Sequence, residues 1–140
     1  DPRGQIISVA YVAVHPSGKL KLRADTDVID VGWFNVCNLP SLAFDHATIV
    51  ADGIKFAQSQ IEEDPSIVFA FLAKEFTLTE LQQVYAALGG EKFAPENKRN
   101  FRLWVAKFGD GAGMVLETGN IKTGSHRPAK LYKPNPVIMR

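Results

Sequence analysis

The chain has 140 residues, of which 46% are hydrophobic and 22% are charged, and its net charge is +1. This composition excludes a disordered polar chain, and no apolar run approaches the roughly 18 residues that a membrane span needs. The small net charge conceals a division: residues 1–90 hold six Lys/Arg and eleven Asp/Glu, whereas residues 91–140 hold ten and four. Net charges of −5 and +6 predict different partners for the two parts.

No secretory signal is expected from the first residues of the given sequence. The sequence begins with Asp1 and not with an initiator methionine. The basic segment that is typical of a secretory signal does not precede the first apolar run. We therefore expect the rear part of a longer protein. The single cysteine, Cys37, cannot form an internal disulfide and stands among apolar residues, which favours a small core side chain in a reducing compartment. The sequence predicts a cytoplasmic protein without membrane contact.

The acidic part contains two predicted strands and one predicted helix. β-branched and aromatic residues dominate residues 5–14, which predicts a buried strand, and residues 31–36 predict a second strand or strand edge. Apolar residues recur at helical spacing over residues 45–62, and Asp45 is placed to cap the first turn. Residues 62–65 form a candidate linker, because three acids and a proline end the helix.

The basic part begins with an ambiguous apolar run and a clear helix. Residues 67–73 are compatible with a strand or a short helix, and periodicity alone does not decide between them. Thr77 and Glu80 have the spacing of a capping box at the start of an amphipathic helix. Gly89 and the glycine after it end that helix. The sequence therefore predicts a three-turn helix at this point.

A second helix of the basic part has two distinct faces. Asn97 is placed to cap it, and the glycines of residues 109–113 stop it. The inward face carries Phe101, Trp104, Val105 and Phe108. The outward face carries the donors and cations that a major-groove reader needs, which are Lys98, Arg99, Asn100 and Arg102. Taken alone, such a face is more typical of an ordinary solvated surface helix, because runs of charged residues are common.

A basic hairpin follows, and it favours DNA binding over an ordinary surface helix. Residues 114–118 and 129–132 predict two short strands joined by a glycine-containing turn, and the hairpin carries Lys122, Arg127, Lys130 and Lys133. Such cations can follow the phosphates, and Arg127 is suited to a narrow minor groove. The aromatic residues fit the core better than a base-stacking platform, which favours double-stranded over single-stranded nucleic acid. Two helices and a basic hairpin predict a winged helix-turn-helix that binds duplex DNA.

Several short segments, in their order and spacing, resemble the NrtR-type Nudix-related transcriptional regulators. They are Asp1-Pro2-Arg3-Gly4, Ser8-Val9-Ala10-Tyr11, Trp33-Phe34, Leu39-Pro40, Leu42-Ala43-Phe44-Asp45-His46, Phe76-Thr77-Leu78-Thr79-Glu80-Leu81-Gln82, Asn100-Phe101-Arg102, Thr118-Gly119 and Arg127-Pro128-Ala129. The resemblance implies a Nudix-fold sensor followed by a winged helix. It also implies a dimeric repressor of NAD-metabolism or sugar-utilisation genes that an ADP-ribose-like nucleotide releases from DNA.

The resemblance also implies roles for individual residues. The recognition helix would hold Lys98, Arg99, Asn100 and Arg102, and the wing would hold Thr118, Arg127 and Lys130. Candidate nucleotide contacts are Arg3, Asp45 and His46. The Glu-rich Nudix signature helix does not occur in this sequence, so the residues present offer no metal seat for diphosphate hydrolysis. The three histidines also lack the spacing of metal ligands.

These observations predict an α+β protein, with a partial Nudix-like α/β segment followed by a winged helix-turn-helix domain. We expect residues 1–62 to form the C-terminal half of the sensor and residues 66–140 to form the DNA-binding domain. The expected function is sequence-specific repression by a homodimer that responds to a nucleotide effector, with no resident cofactor or metal. Two alternatives stay open: a Nudix hydrolase whose catalytic helix lies upstream, and a winged helix that binds another protein.

Overall fold

The computed structural model describes residues 9–16, 21, 23, 31–36, 38–89, 92–124 and 127–139. The helices and strands within these residues are, in chain order, α1 (His46–Glu63), a 3-10 helix (Pro65–Phe71), α2 (Leu78–Leu88), α3 (Lys98–Lys107), β1 (Val115–Lys122), β2 (Ala129–Pro134) and a second 3-10 helix (Pro136–Ile138). Two helices followed by a hairpin confirm the predicted winged-helix order. In the part of the chain that the structure describes, no helix is long and apolar enough to cross a bilayer.

Helix α1 confirms the helical spacing of the acidic part but corrects its predicted cap. Asp45 occupies the N-cap position, yet its backbone (φ −95°, ψ 8°) is not extended and its side chain makes no capping hydrogen bond. The predicted Asp45 cap is therefore wrong. The helix extends to Glu63 and buries Ile61 in the core.

The predicted linker is a tight junction between two helices. Asp64 follows α1, and its carboxylate accepts a hydrogen bond from the Ser66 backbone N–H at 2.9 Å, which caps the 3-10 helix. Pro65 is tolerated at the first helical position because its missing N–H would have no helical acceptor there. The ambiguous apolar run is therefore mostly a 3-10 helix, and it buries Val68 and Phe69.

The capping box at the start of α2 is present as predicted. The Glu80 backbone N–H donates to Thr77 Oγ1 at 3.2 Å, and the Thr77 N–H donates to the Glu80 carboxylate at 2.8 Å. Partial burial raises the pKa of Glu80, but hydrogen bonds from Lys122 and Thr77 outweigh this effect and hold the pKa below its ordinary value. Glu80 is therefore ionised at neutral pH, as the ion pair with Lys122 requires.

Helix α3 begins and ends at the residues that the sequence indicates. The Asn97 side chain accepts hydrogen bonds from the backbone N–H groups of Arg99 (2.9 Å) and Asn100 (3.2 Å). After the helix, Gly109 and Gly111 have φ values of 62° and 89°, a left-handed region that glycine occupies without steric strain. The chain therefore reverses within a few residues and enters β1.

Strands β1 and β2 form an antiparallel hairpin with an irregular middle. Val115 pairs with Pro134 and Ile121 with Lys130, but the register shifts between Glu117 and Ile121. Gly119 lies in this stretch with a φ of 82°. An isolated antiparallel bridge pairs Phe76 with Tyr132 of β2, on the side of β2 away from β1. Each of the two residues donates its backbone N–H to the carbonyl of the other. The hairpin is longer than the sequence predicts and is tied to the segment before α2.

One hydrophobic core joins α1 to the winged helix. Its largest fully buried side chains are Val68, Phe76, Leu81, Phe101 and Met114, and the cluster also includes Ile61 of α1. The three α-helices and the first 3-10 helix all contribute residues to this cluster. A change in the position of α1 would therefore reach the helices of the winged helix through direct packing.

Two of the predicted strands are wrong over the residues that the structure describes. Residues 9–14 and 31–36 have no regular secondary structure, and Tyr11 and Trp33 are exposed. A strand needs a neighbour for its backbone hydrogen bonds, and the sheet formed by the described residues pairs only β1 with β2. The beginning of the first predicted strand, residues 5–8, and Cys37 lie outside the described residues.

Candidate nucleic-acid interface

The polar residues that the sequence predicts to contact DNA lie on the solvent-exposed face of α3. Phe101 and Val105 are buried, whereas Lys98, Arg99, Asn100 and Arg102 are all exposed. At about 100° per residue, Arg99 and Arg102 lie on neighbouring rows of the exposed surface and Asn100 lies on the opposite flank. Among the described residues, neither arginine has a side-chain hydrogen bond or ion pair. Their guanidinium groups can therefore be offered to another molecule.

The first turn of α3 is suited to an anion. It contains no acidic residue, and Asn97 satisfies two of its backbone N–H groups while the helix dipole still points its positive end outward. Lys98 and Arg99 add two formal charges at this end. A phosphate approaching the beginning of α3 would meet both the dipole and the cations.

Gln82 fixes the connection between α2 and α3. Its Nε2 donates to the carbonyl oxygens of Pro95 at 3.2 Å and Glu96 at 2.7 Å, immediately before α3 begins. These bonds satisfy carbonyls of the turn and set where the helix starts. Sequence reasoning missed this residue, because its partners are 13 and 14 residues away and no local pattern marks the contact.

The aromatic residues of α3 hold the helix against α2. Tyr85 meets Phe101 at a ring-centroid distance of 6.2 Å and meets Trp104 at 5.3 Å, both edge to face. Trp104 also contacts Phe101 at 5.7 Å and Phe108 at 5.5 Å. Burial raises the pKa of the Tyr85 hydroxyl, which donates to the Met114 sulfur. Phe101 is buried in the core, and Trp104 and Phe108 are half-buried and pack against it, which confirms that this aromatic stripe faces inward.

The hairpin, or wing, has fewer unpaired cations than its sequence suggests. Lys122 Nζ lies 2.6 Å from a Glu80 carboxylate oxygen, and Lys130 Nζ lies 2.9 Å from Glu117. The hydrogen bond and charge of Glu117 raise the pKa of Lys130 above its ordinary value. Arg127 and Lys133 are exposed. Among the described wing residues, these two are the cations without an ion-pair partner.

Thr118 and Asn120 stabilise the irregular part of β1. The Thr118 hydroxyl donates to the Leu131 carbonyl at 3.1 Å and accepts from the Asn120 backbone N–H at 3.3 Å, so it replaces ladder bonds that the register shift removes. The Asn120 amide donates to both oxygens of Glu75 at 3.0 and 3.1 Å. Together with the ion pair between Lys122 and Glu80, this contact holds the wing against the beginning of α2.

Asn135 anchors the glycine turn between α3 and the wing. Only 4% of its surface is exposed, and its amide donates to the carbonyls of Ala112 at 3.0 Å and Gly113 at 2.9 Å. These bonds fix the glycine turn to the chain immediately after β2. No local pattern indicates this contact, because its partners are more than 20 residues apart in sequence.

The structure describes two of the three candidate nucleotide contacts, Asp45 and His46. Asp45 and His46 are exposed at the beginning of α1, where the His46 ring contacts Phe44 at 6.2 Å. Arg3 lies outside the described residues. Within the described part of the chain, no group of three His, Cys, Asp or Glu side chains is arranged to hold a metal ion.

Helix α1 is connected to the winged helix by polar contacts as well as by the core. Gln58 Nε2 donates to the Leu88 carbonyl at the end of α2 at 2.6 Å. Lys92, just after α2, forms an ion pair with Glu62 at 2.6 Å. Both contacts lie at the C-terminal end of α2, opposite the end that holds the wing.

Comparison with known proteins agrees with this architecture. Residues 68–133 match the family model of the NrtR DNA-binding winged helix domain. The structure of Shewanella oneidensis NrtR superposes with a TM-score of 0.50 and 30% sequence identity, over 79% of this chain and 48% of that one. The structure of the same protein complexed with a 27mer DNA gives a TM-score of 0.49 and 29% identity, over 73% and 42%.

A curated relative also matches part of the chain. It is an ADP-ribose pyrophosphatase of Methanocaldococcus jannaschii, 39% identical over 56 residues, which are 40% of this chain and 32% of the relative. The chain thus spans about half or less of the length of each of these proteins. The family match covers α2, α3, β1 and all but the last residue of β2, and over these residues the chain is similar to the NrtR DNA-binding winged helix domain.

Proposed function

We propose that the protein is a transcriptional repressor that binds duplex DNA sequence-specifically, with α3 in the major groove and the wing along the adjacent backbone. The exposed cationic face of α3, on a winged helix of a DNA-binding family, is the observation that supports this proposal most directly. The regulated genes proposed are those of NAD or sugar metabolism, as the resemblance implies. The compartment proposed is the cytoplasm.

The side chains of α3 divide into base-reading and phosphate-binding groups. Arg99 and Arg102 have the planar donors that pair bidentately with guanine, and Asn100 has the amide that pairs with adenine. Lys98, near the positive end of the helix, is suited to a phosphate. These roles follow from side-chain chemistry on an exposed helix of suitable size for the major groove.

The wing contributes mainly through phosphate contacts. Arg127 is exposed and is proposed to enter the minor groove or to bind its edge phosphates. Lys130 would have to break its ion pair with Glu117 before it could bind a phosphate. Its net contribution to the free energy of DNA binding is therefore smaller than its charge suggests. Thr118 already uses its hydroxyl for two hydrogen bonds within the hairpin. It is proposed to contact a DNA phosphate only through an additional hydrogen bond of that hydroxyl.

Effector control is proposed to reach the winged helix through α1. Residues 1–62 would belong to a Nudix-like sensor and residues 66–140 to the reader, and the contacts of Gln58 and Glu62 with the end of α2 connect them. The partial match to an ADP-ribose pyrophosphatase supports an ADP-ribose-like nucleotide as the effector. Arg3, Asp45 and His46 stay candidate contacts for it. In a homodimer, a shift of α1 would change the spacing of the two reading helices, which must match half-sites about 34 Å apart or a multiple of that distance.

Salt dependence provides the first test of DNA binding. With about five phosphates neutralised, the logarithm of the association constant should fall with the logarithm of salt concentration with a slope of about −4 to −5. Between about 50 and 200 mM salt, the affinity for the protein's own upstream DNA should fall by roughly two to three orders of magnitude. Fluorescence anisotropy of the intact protein with labelled duplex measures this. A winged helix that binds only proteins would bind no duplex even at low salt.

Effector response requires a separate measurement. Saturating ADP-ribose should weaken operator binding by the intact protein by at least about fivefold, the lower end of usual allosteric couplings. Equal operator affinity with and without ADP-ribose would contradict the proposed effector. The proposal that the protein binds DNA would still stand. AMP at the same concentration controls for non-specific anion competition.

A second candidate function is supported by the same curated relative. The intact protein could be a Nudix hydrolase that acts on ADP-ribose, with its metal-binding helix in sequence before Asp1, since the residues of this chain contain no such signature. Release of AMP and ribose 5-phosphate from ADP-ribose, with no preference for any duplex sequence, would favour this function over the regulator.

A further inference from the structure

Leu103 occupies the middle of the outward face of α3. Half of its surface is exposed, and it does not belong to the hydrophobic side chains that pack on the core. It follows the buried Phe101 by two residues, which at about 100° per residue places it almost opposite the inward face. Within α3, all of which the structure describes, it is the large apolar side chain on the outward face.

The neighbours of Leu103 are cationic side chains, two of which are proposed to read bases. Arg99 lies one turn before it, Lys107 lies one turn after it, and Arg102 is adjacent in sequence. A single exposed leucine on a protein surface is ordinary and needs no explanation. This leucine differs because Arg99 and Lys107 lie one turn before and one turn after it, so a duplex that contacts both must also cover its methyl groups.

The major groove offers one apolar group to such a side chain, the 5-methyl group of thymine. The other base edges present hydrogen-bond donors and acceptors, which would lose water against a leucine without gaining a partner. We infer that Leu103 is a specificity-determining residue that contacts a thymine methyl group in each half-site. This inference rests on the proposed function, and it adds a thymine to the guanines and adenines that the polar side chains would select.

The test begins with selection of preferred duplexes from a random pool by the intact protein. Each thymine of the selected site is then replaced, one at a time, by uracil, which removes the 5-methyl group and keeps the hydrogen-bonding edge. Loss of one buried methyl contact should weaken wild-type binding about fourfold at one thymine of each half-site. The Leu103→Ala variant should bind thymine and uracil equally at that position. Val137→Ala, which shortens an exposed side chain outside α3, should keep the wild-type discrimination.

The outcomes separate this inference from the function on which it rests. If the selected site is bound but the effect of uracil is the same in the wild-type and Leu103→Ala proteins, the leucine assignment is wrong and DNA binding stands. If uracil has no effect at any position, the assignment is equally wrong. If no duplex is selected from the pool, the proposed function itself fails.

Discussion

Arg102→Ala is expected to weaken binding to the operator duplex between about fivefold and 150-fold, while binding to unrelated duplex weakens much less. A bidentate arginine–guanine pair contributes about 1 to 3 kcal/mol of discrimination, and alanine leaves the guanine acceptors facing a site without donors. Arg102 is exposed, so its removal should not disturb the core. Anisotropy titrations of both duplexes at one salt concentration give the specificity ratio directly.

Two further variants separate base reading from charge. Arg102→Lys keeps the positive charge but lacks the planar fork, so it should restore binding to unrelated duplex more fully than operator binding. Lys55→Ala removes an exposed cation of α1 that is paired with Asp52, and it should leave both affinities unchanged. Unchanged operator affinity in Arg102→Ala would contradict its assignment to base recognition.

Phe101→Ala is expected to destabilise the winged helix by about 3 to 5 kcal/mol, the usual range for removal of a buried aromatic side chain. Phe101 is 1% exposed and contacts both Tyr85 and Trp104, so alanine would leave a cavity between α2 and α3. Because α3 depends on this contact for its position, operator binding should fall together with stability. Urea unfolding followed by circular dichroism measures the change in the free energy of unfolding.

Leu103→Ala is the matched control, since it shortens a side chain two residues away on the exposed face of the same helix. A substitution at such a surface position usually changes stability by less than about 0.5 kcal/mol. Equal destabilisation by the two substitutions would show that α3 is not packed through Phe101. The pair therefore distinguishes the face that holds the helix from the face proposed to read DNA.

Local signals in the sequence determined the helices and the faces of α3. The capping box of Thr77 and Glu80, the Asn97 cap and the glycines after α3 all act over a few residues, so neighbouring sequence is sufficient to predict them. The Asp45 cap is the exception, because residue type permits a cap but backbone geometry decides whether it forms. The exposure of Lys98, Arg99, Asn100 and Arg102 also followed from the position of the apolar stripe.

Only the tertiary structure decided the contacts between residues distant in sequence. Residues 9–14 and 31–36 have strand-forming composition but no partner strand among the described residues, and a strand exists only when another pairs with it. The pairing of Lys122 with Glu80, and the bonds from Gln82 and Asn135 to backbone carbonyls, likewise join residues between 13 and 42 positions apart. Residue chemistry permits such contacts at many positions, and the folded chain selects among them because it brings particular donors and acceptors within bonding distance.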